Sequence, residues 1–244
     1  MIIRADFHIH SGDDPYDLLP YHAAEIVDRA AARGLQCNAI ANHLTLSWTQ
    51  AQADYAASKG VLLIPAIETQ LCKRDVIILN ARQDAEYLRT FDDLRAYRTA
   101  DMLTIAPHPF YPIDCSLREL LEPEIDAFDA IEVCSCYLPW FDRFNTTARA
   151  AAQRHGKPMV AGSDAHGLWQ VGNTWTEIDT PALTPRCIFD AIRAGKATPV
   201  ARPMTYRELF DFFVVGDAPR KLRNWWRKLR GTYPRRPQRD AAEA

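Results

Sequence analysis

The chain has 244 residues, with 48% hydrophobic and 25% charged residues and a net charge of −2, a size suited to one or two domains. This balance excludes a disordered, collagen-like or coiled-coil chain, and no apolar run of about 18 residues marks a membrane span. The charge is unevenly spread: residues 218–239 hold nine of the 29 bases and no acid, which leaves residues 1–217 with a net of −9. An acidic body suits a site that concentrates cations better than a surface for long nucleic acid.

The opening MIIRADFHIH lacks the pattern of a secretory signal, so a cytoplasmic location is expected. Cys37, Cys72, Cys115, Cys134, Cys136 and Cys187 include no C-x-x-C pair, which argues against a zinc ribbon and, in that compartment, a disulfide framework. Cys134 and Cys136, spaced C-x-C at a strand end, read either as small strand residues or as the source of one thiolate ligand.

In chain order, apolar runs at 2–9, 37–42, 61–67, 76–79, 102–106, 130–134 and 158–162 predict strands. Amphipathic stretches at 20–33, 48–59, 84–98, 116–125, 140–155 and 185–195 predict helices, three of which stop at Gly34, Gly60 and Gly156. Asp92 and Asp93 inside the third stretch point to a break there. Strands alternating with helices imply an α/β fold with a parallel sheet and crossovers. About seven such units fit a closed or nearly closed TIM-like barrel better than a small open sheet.

Beyond the barrel, residues 205–216 are aromatic and apolar, and PRKLRNWWRKLRG follows. Leu222, Trp225, Trp226 and Leu229 fall at helical spacing among bases. The expected division is a barrel domain over 1–204, an amphipathic extension over 205–231 and a disordered tail over 232–244. Four roles stand open for the extension: docking its apolar side on its own domain, lying on anionic lipid, binding nucleic-acid phosphates, or engaging a partner protein.

Metal-capable side chains gather at strand ends. His8 and His10 close the first strand, His43 follows the second, Glu68 closes the third, His108 follows the fifth, and Asp164 and His166 follow the seventh. In parallel α/β barrels the C-terminal strand ends share one mouth, where chemistry sits. Residues i and i+2 of a strand face one side, so H-x-H and D-x-H can each present two donors together. Imidazole with carboxylate suits zinc, manganese or iron, and so many donors suggest more than one ion.

DFHIHS, AIANH, IPAIE, APHPF and GSDAHG resemble, in order and over roughly residues 4–200, the successive motifs of the PHP (polymerase and histidinol phosphatase) family. The resemblance implies a distorted barrel of seven βα units and hydrolysis of a phosphate ester at a two- or three-metal centre. There, metal-activated water would attack the phosphorus while the ions neutralise phosphoryl charge. It assigns His8, His10, Glu68 and Asp164 to a first metal and Glu68, as bridge, with His108 to a second. His43 and His166, with an aspartate of the loop GDDPYD, would hold a third. Asp17 fits the family offset slightly better than Asp14. Asn42 stands where many members have Asp. Asp75 stands where many have His, which would make the site richer in oxygen and favour manganese or iron over zinc. Glu68, Asp164 and His166 are the expected catalytic residues, with no organic cofactor. The expected partner is a small phosphorylated substrate or a short oligonucleotide, with Arg143 and Arg202 as phosphate-binding candidates. The alternatives are metal-dependent hydrolysis of a non-phosphate bond and a non-catalytic PHP-like regulatory domain.

Overall fold

The computed structural model describes residues 1–134 and 136–238. Its strands are β1 (Ile2–Ile9), β2 (Cys37–Ile40), β3 (Leu62–Leu71), β4 (Arg74–Leu79), β5 (Leu103–Ala106), β6 (Ala130–Cys134), β7 (Met159–Gly162), β8 (Thr174–Asp179) and β9 (Ala197–Ala201). Its helices are α1 (Ala23–Ala32), α2 (Gln50–Ser58), α3 (Phe91–Tyr97), α4 (Arg143–Arg154), α5 (Pro185–Arg193), α6 (Tyr206–Phe210) and α7 (Ala218–Leu229).

The nine strands form one sheet in the order β7-β6-β5-β4-β3-β2-β1-β8-β9. The sheet curls until β7 meets β1 and β8: Ile9 bridges Ala165, and Ala161 donates its N–H to Thr176 Oγ1 at 2.8 Å. This is the expected α/β barrel, with two more strands than the apolar runs indicated. β8 and β9 escape the pattern because their burial is only partial and β9 carries Pro199. Nor is the sheet purely parallel. β4 runs antiparallel to both β3 and β5, and β8 antiparallel to β1 and β9. Since β3 and β5 both oppose β4, the C-terminal ends of β1, β2, β3, β5, β6 and β7 still open at one mouth.

The inner core joins residues from every side of the barrel, among them Ile3, Ala5, Phe7, Ala39, Ile64, Ala66, Ile77, Ile105, Ala130 and Val160. Ile188, Phe189 and Ile192 of α5 pack against it. An outer layer holds α1 and α2 through Ile26, Val27, Ala30 and Ala56, with Ile9, Ile40 and Leu63 of the sheet. Strand β1 changes phase between these layers. Asp6 pairs with Asn38 but Ile9 pairs with Ile40, so β1 spends one residue more than β2. This bulge resets the alternation: odd residues through Phe7 face inward, Ile9 faces the helices, and His8 and His10 turn to the mouth.

Two helical expectations change. The stretch 84–98 splits into a 3-10 turn at Gln83–Tyr87 and α3. Thr90 caps α3, and the Asp93 carboxylate accepts from Thr90 N and Arg89 N, so an aspartate starts the helix rather than breaking it. The stretch 116–125 yields only 3-10 turns at Arg118–Leu120 and Ile125–Ala127, since Pro123 supplies no N–H.

After β9 the chain is continuously helical from Tyr206 to Leu229, through a π-helical stretch at Asp211–Asp217. Residues 232–238, part of the tail expected to be unordered, are described and lie against the barrel. Tyr16 donates its hydroxyl to Arg235 O, and the Arg236 guanidinium donates to Gln70 O at 2.7 Å and to Leu88 O. The rest of that tail, 239–244, lies outside the described residues. Among the described residues no helix is long and apolar enough to cross a membrane.

Candidate metal centre

The mouth gathers three overlapping groups of donors: His8 with His10 and Asp164; His8 with Glu68 and His108; and His10 with Asp17, His43 and His166. Glu68, two residues beyond inward-facing Ala66, lies at their junction. Its Oε1 is 3.5 Å from His8 Nε2 and 3.3 Å from His108 Nε2. Its Oε2 is 3.5 Å from His10 Nε2 and 3.3 Å from His43 Nε2. The two oxygens thus face different imidazole pairs, the disposition a bridging carboxylate needs. Asp164 Oδ1 is 3.3 Å from Nε2 of both His8 and His10.

Two of these residues sit in backbone that few side chains adopt, His108 at φ 27° and Asp164 at φ 48°. Such conformations cost free energy and persist where the surroundings impose them, often at functional sites.

The loop after β1 separates its aspartates. Asp14 is fully buried and accepts from His43 N at 2.9 Å, with its Oδ2 2.7 Å from His43 Nδ1; it orients that ring. Asp17 turns into the third donor group, with Oδ2 2.9 Å from His166 Nε2. Asn42 secures the loop by accepting from Ser11 N at 2.9 Å and donating to Ser47 Oγ at 2.7 Å, so the amide holds structure where it stands.

Asp75 stands apart from the three donor groups found among the described residues. The antiparallel register places it opposite Gln70, one inward pair beyond the Glu68–Ile77 pair, and Gln70 Nε2 donates to it at 2.9 Å. Burial and the Glu68 charge push its carboxyl up to about 6. Among the described residues neither Cys134 nor Cys136 joins a donor group. Burial pushes the Cys134 thiol well up, and Cys136 up to about 12. Arg202 is paired with Glu208 on α6, and Arg143 lies exposed at the start of α4.

Three contributors escaped the sequence reading. Glu132, the one charge in the apolar run AIEVC, faces the mouth above inward Ala130. Its Oε1 is 3.0 Å from His8 Nδ1, and its Oε2 accepts from His108 N at 2.9 Å. Asp6 accepts from His8 N at 3.2 Å and Ser163 N at 3.1 Å; burial pushes its carboxyl up to about 7. The third, Arg220 of α7, places Nη1 2.5 Å from Asp17 Oδ2. The lone charge in an apolar run was a usable signal for Glu132. Arg220 had none, being 203 residues from its partner.

Electrostatically the cluster is an alternation of acids and imidazoles. Burial works against charge on Glu68 and Asp164, yet the fields of the surrounding histidines, His8 foremost, hold both carboxyls well below their usual range. Asp14 and Asp17 are lowered the same way, against burial, by His10 and His43 and by His43 and His166 respectively. His8 and His43 are held well above the ordinary imidazole value despite burial, by Glu132 and Asp164 and by Asp17 and Asp14. His108 stands at about 9, burial being outweighed by Glu68. His166 goes the other way, lowered by burial and by Arg220.

The residues fit divalent ions. Buried polar atoms require partners, yet His8 Nε2 and both ring nitrogens of His10 have no hydrogen bond among the described residues. These orphaned nitrogens point among carboxylate oxygens, and Glu132 and Asp14 orient the far side of neighbouring rings, as outer partners do for metal-bound histidine. Beside this cluster a cavity of about 220 Å³ is lined by His166, Trp169, Phe212, Val215, Asp217 and Arg220 among others.

A curled α/β sheet whose C-terminal mouth carries such a histidine and carboxylate cluster defines a PHP-like barrel. The model of the PHP-associated family matches residues 142–197, from the turn before α4 to the first residue of β9. Several solved structures share the fold. A two-domain protein from Bacteroides vulgatus, containing a predicted PHP-like metal-dependent phosphoesterase, is similar at 16% identity and TM-score 0.61 over 83% of this chain. The present chain spans 65% of that protein's length. PsfC from Pseudomonas syringae is similar at 19% identity and TM-score 0.62, over 91% of this chain and 98% of PsfC. A lesion-specific endonuclease from Pyrococcus furiosus is similar at 18% identity and TM-score 0.56, over 82% of this chain and 58% of that one. No curated protein matches the chain. Motif order, the match over residues 142–197 and the shared fold make the chain similar to PHP proteins, with a PHP-like barrel.

Proposed function

We propose that this protein is a metal-dependent hydrolase of phosphate esters, with two or three divalent ions (manganese, iron or zinc) at the mouth of a barrel domain over 1–204. The observation that carries the reading is Glu68, whose two oxygens face separate histidine pairs beside orphaned imidazole nitrogens. His8, His10, Glu68 and Asp164 would hold one ion, Glu68 and His108 a second, and His43, His166 and Asp17 a third.

When bound, the ions would supply an activated water and neutralise charge growing on the phosphoryl oxygens. The chain does the rest. Glu132 and Asp14 keep the His8 and His43 rings oriented, so that their Nε2 atoms stay aimed at the mouth. His166 keeps its ring neutral near neutral pH, free to ligate. Arg220 lines the cavity beside His166 and offers a guanidinium to an entering phosphate, a planar fork suited to two phosphoryl oxygens. A cavity of about 220 Å³ and an acidic body favour a small phosphorylated substrate or a short oligonucleotide. A longer nucleic-acid strand is the second reading, favoured by the likeness to the lesion-specific endonuclease.

The test is metal content by mass spectrometry, paired with turnover of phosphomonoesters, phosphodiesters and a lesion-bearing duplex after loading with each metal. Two or three ions per chain with turnover of a small ester is the expected outcome. Turnover of the duplex alone moves the function to the second reading, and ions without phosphoester turnover would sink both.

A further inference from the structure

The C-terminal helix α7 is inverted with respect to the usual amphipathic arrangement. Its polar face is the one that docks. Arg220 pairs with Asp17, Arg223 donates to Asp17 O, Asn224 Nδ2 donates to Tyr16 O at 2.7 Å, and Arg227 donates to Pro15 O at 2.8 Å. These four residues recur at i, i+3, i+4 and i+7, one stripe of the helix. The opposite stripe repeats that spacing with Leu222, Trp225, Trp226 and Leu229, which stand 49–60% exposed. Upstream on the same continuous helical segment, Tyr206, Phe210, Phe213, Val214 and Val215 are exposed as well. A soluble helix ordinarily turns its apolar stripe to the core; here that stripe has no cover among the described residues.

We infer that this outward face seats the protein on an anionic lipid surface, with α7 lying in the plane of the headgroups. Three observations select that occupant. Lys228 and Arg230 flank the apolar stripe, both exposed, beside Lys221, which is exposed and paired with Asp217, and no acid occurs between Ala218 and Gln238. Bases beside Leu and Trp are the composition of an interfacial helix, whose aromatic rings sit at headgroup level. Secondly, bases that could grip a nucleic-acid strand are engaged with the barrel instead: Arg223, Arg227 and Arg236 donate to its backbone carbonyls. Thirdly, a second copy packed through the same stripe would bring its Lys228 and Arg230 against the first pair, a like-charge encounter that opposes pairing. From Tyr206 to Leu229 the segment is about 36 Å long at 1.5 Å per residue, a ridge suited to a broad surface rather than to a groove. It also walls the cavity beside His166, through Phe212, Val215, Asp217 and Arg220, so a lipid surface under it would lie next to the metal centre.

The inference goes beyond the hydrolase reading and stands without it, because vesicle binding requires no turnover. The full chain is floated with vesicles of phosphatidylcholine alone and of phosphatidylcholine with phosphatidylglycerol, and tryptophan emission is recorded. Expected is flotation with the anionic vesicles at least about tenfold above the neutral ones, weakened by salt and accompanied by a blue shift. The double variant W225S/W226S should lose flotation while keeping its melting temperature and metal content, and K228Q/R230Q should lose the anionic preference. The inference is overturned if folded wild-type protein does not float. It fails equally if W225S/W226S floats unchanged, if light scattering finds an oligomer that W225S/W226S dissolves and lipid does not, or if an oligonucleotide is bound and vesicles are not.

Discussion

Glu132 Oε1 lies 3.0 Å from Nδ1 of His8, inside the barrel and away from solvent. The contact fixes which ring nitrogen of His8 faces the mouth. Glu132→Gln should leave one acceptor and lower metal affinity about tenfold, and Glu132→Ala about 100-fold, the range seen when an outer partner of a ligating histidine is removed. Chelator competition reads this, and a variant that keeps wild-type affinity would show that His8 needs no such support.

Gly162 makes that contact possible. A Cβ there would stand 1.9 Å from Glu132 Oε1 and 2.8 Å from His8 Cβ. Gly162→Ala must therefore push Glu132 aside, with a stability loss of about 1–3 kcal/mol from overpacking and a loss of metal. Thermal melting with metal analysis checks both; a variant that melts and loads like wild type would refute the close approach.

Arg220 should govern substrate rather than metal. Arg220→Ala removes a charged hydrogen-bonding group of about 1.5–3 kcal/mol, which should appear mainly as a raised KM for phosphate esters, with Arg220→Lys in between. Equal loss of kcat and kcat/KM with unchanged KM would place its role in the transition state instead.

Asp75→Asn should leave the number of bound ions unchanged, because Asp75 stands outside the donor groups and its carboxyl is already raised to about 6. Loss of one ion per chain would return Asp75 to the ligand set.

The metal-free and metal-loaded proteins should respond oppositely to pH. His108 has its folded value raised from 6.5 to about 9, so its stabilisation is full below 6.5 and lost as pH climbs through 9. Asp6, raised from 3.8 to about 7, adds a loss in the same direction as pH rises toward 7. On the acid side Glu68 and Asp164, both lowered, lose their stabilisation as pH falls below the ordinary carboxylate range. The melting temperature in chelator should thus fall between about pH 6.5 and 9. Ions displace the His108 proton, so metal affinity should rise over that same interval. Parallel melting curves with and without metal would contradict this.

The sequence by itself determined the barrel class and marked most of the strand-end histidines and carboxylates that the fold gathers at one mouth. Strand alternation is a local property, so H-x-H at the end of β1 and D-x-H after β7 declare which side chains share a face. Glu68 and His108 mark strand ends in the same way. What the chain could not declare depends on neighbours far away. The bulge of β1 is defined only by its register against β2, and the displacement of Asp75 only by the pairing of β3 with β4. The mostly half-buried β8 and β9 join the sheet by pairing rather than by apolar runs. Asp14 and Asp17, near-equals in sequence, part company because one faces His43 and the other His166. The helical period of α7 was legible from Leu222 to Leu229, but not which stripe faces the barrel. Tertiary structure decided that, because the surface it meets consists of Asp17 and three backbone carbonyls, which bind guanidinium and amide groups rather than tryptophan.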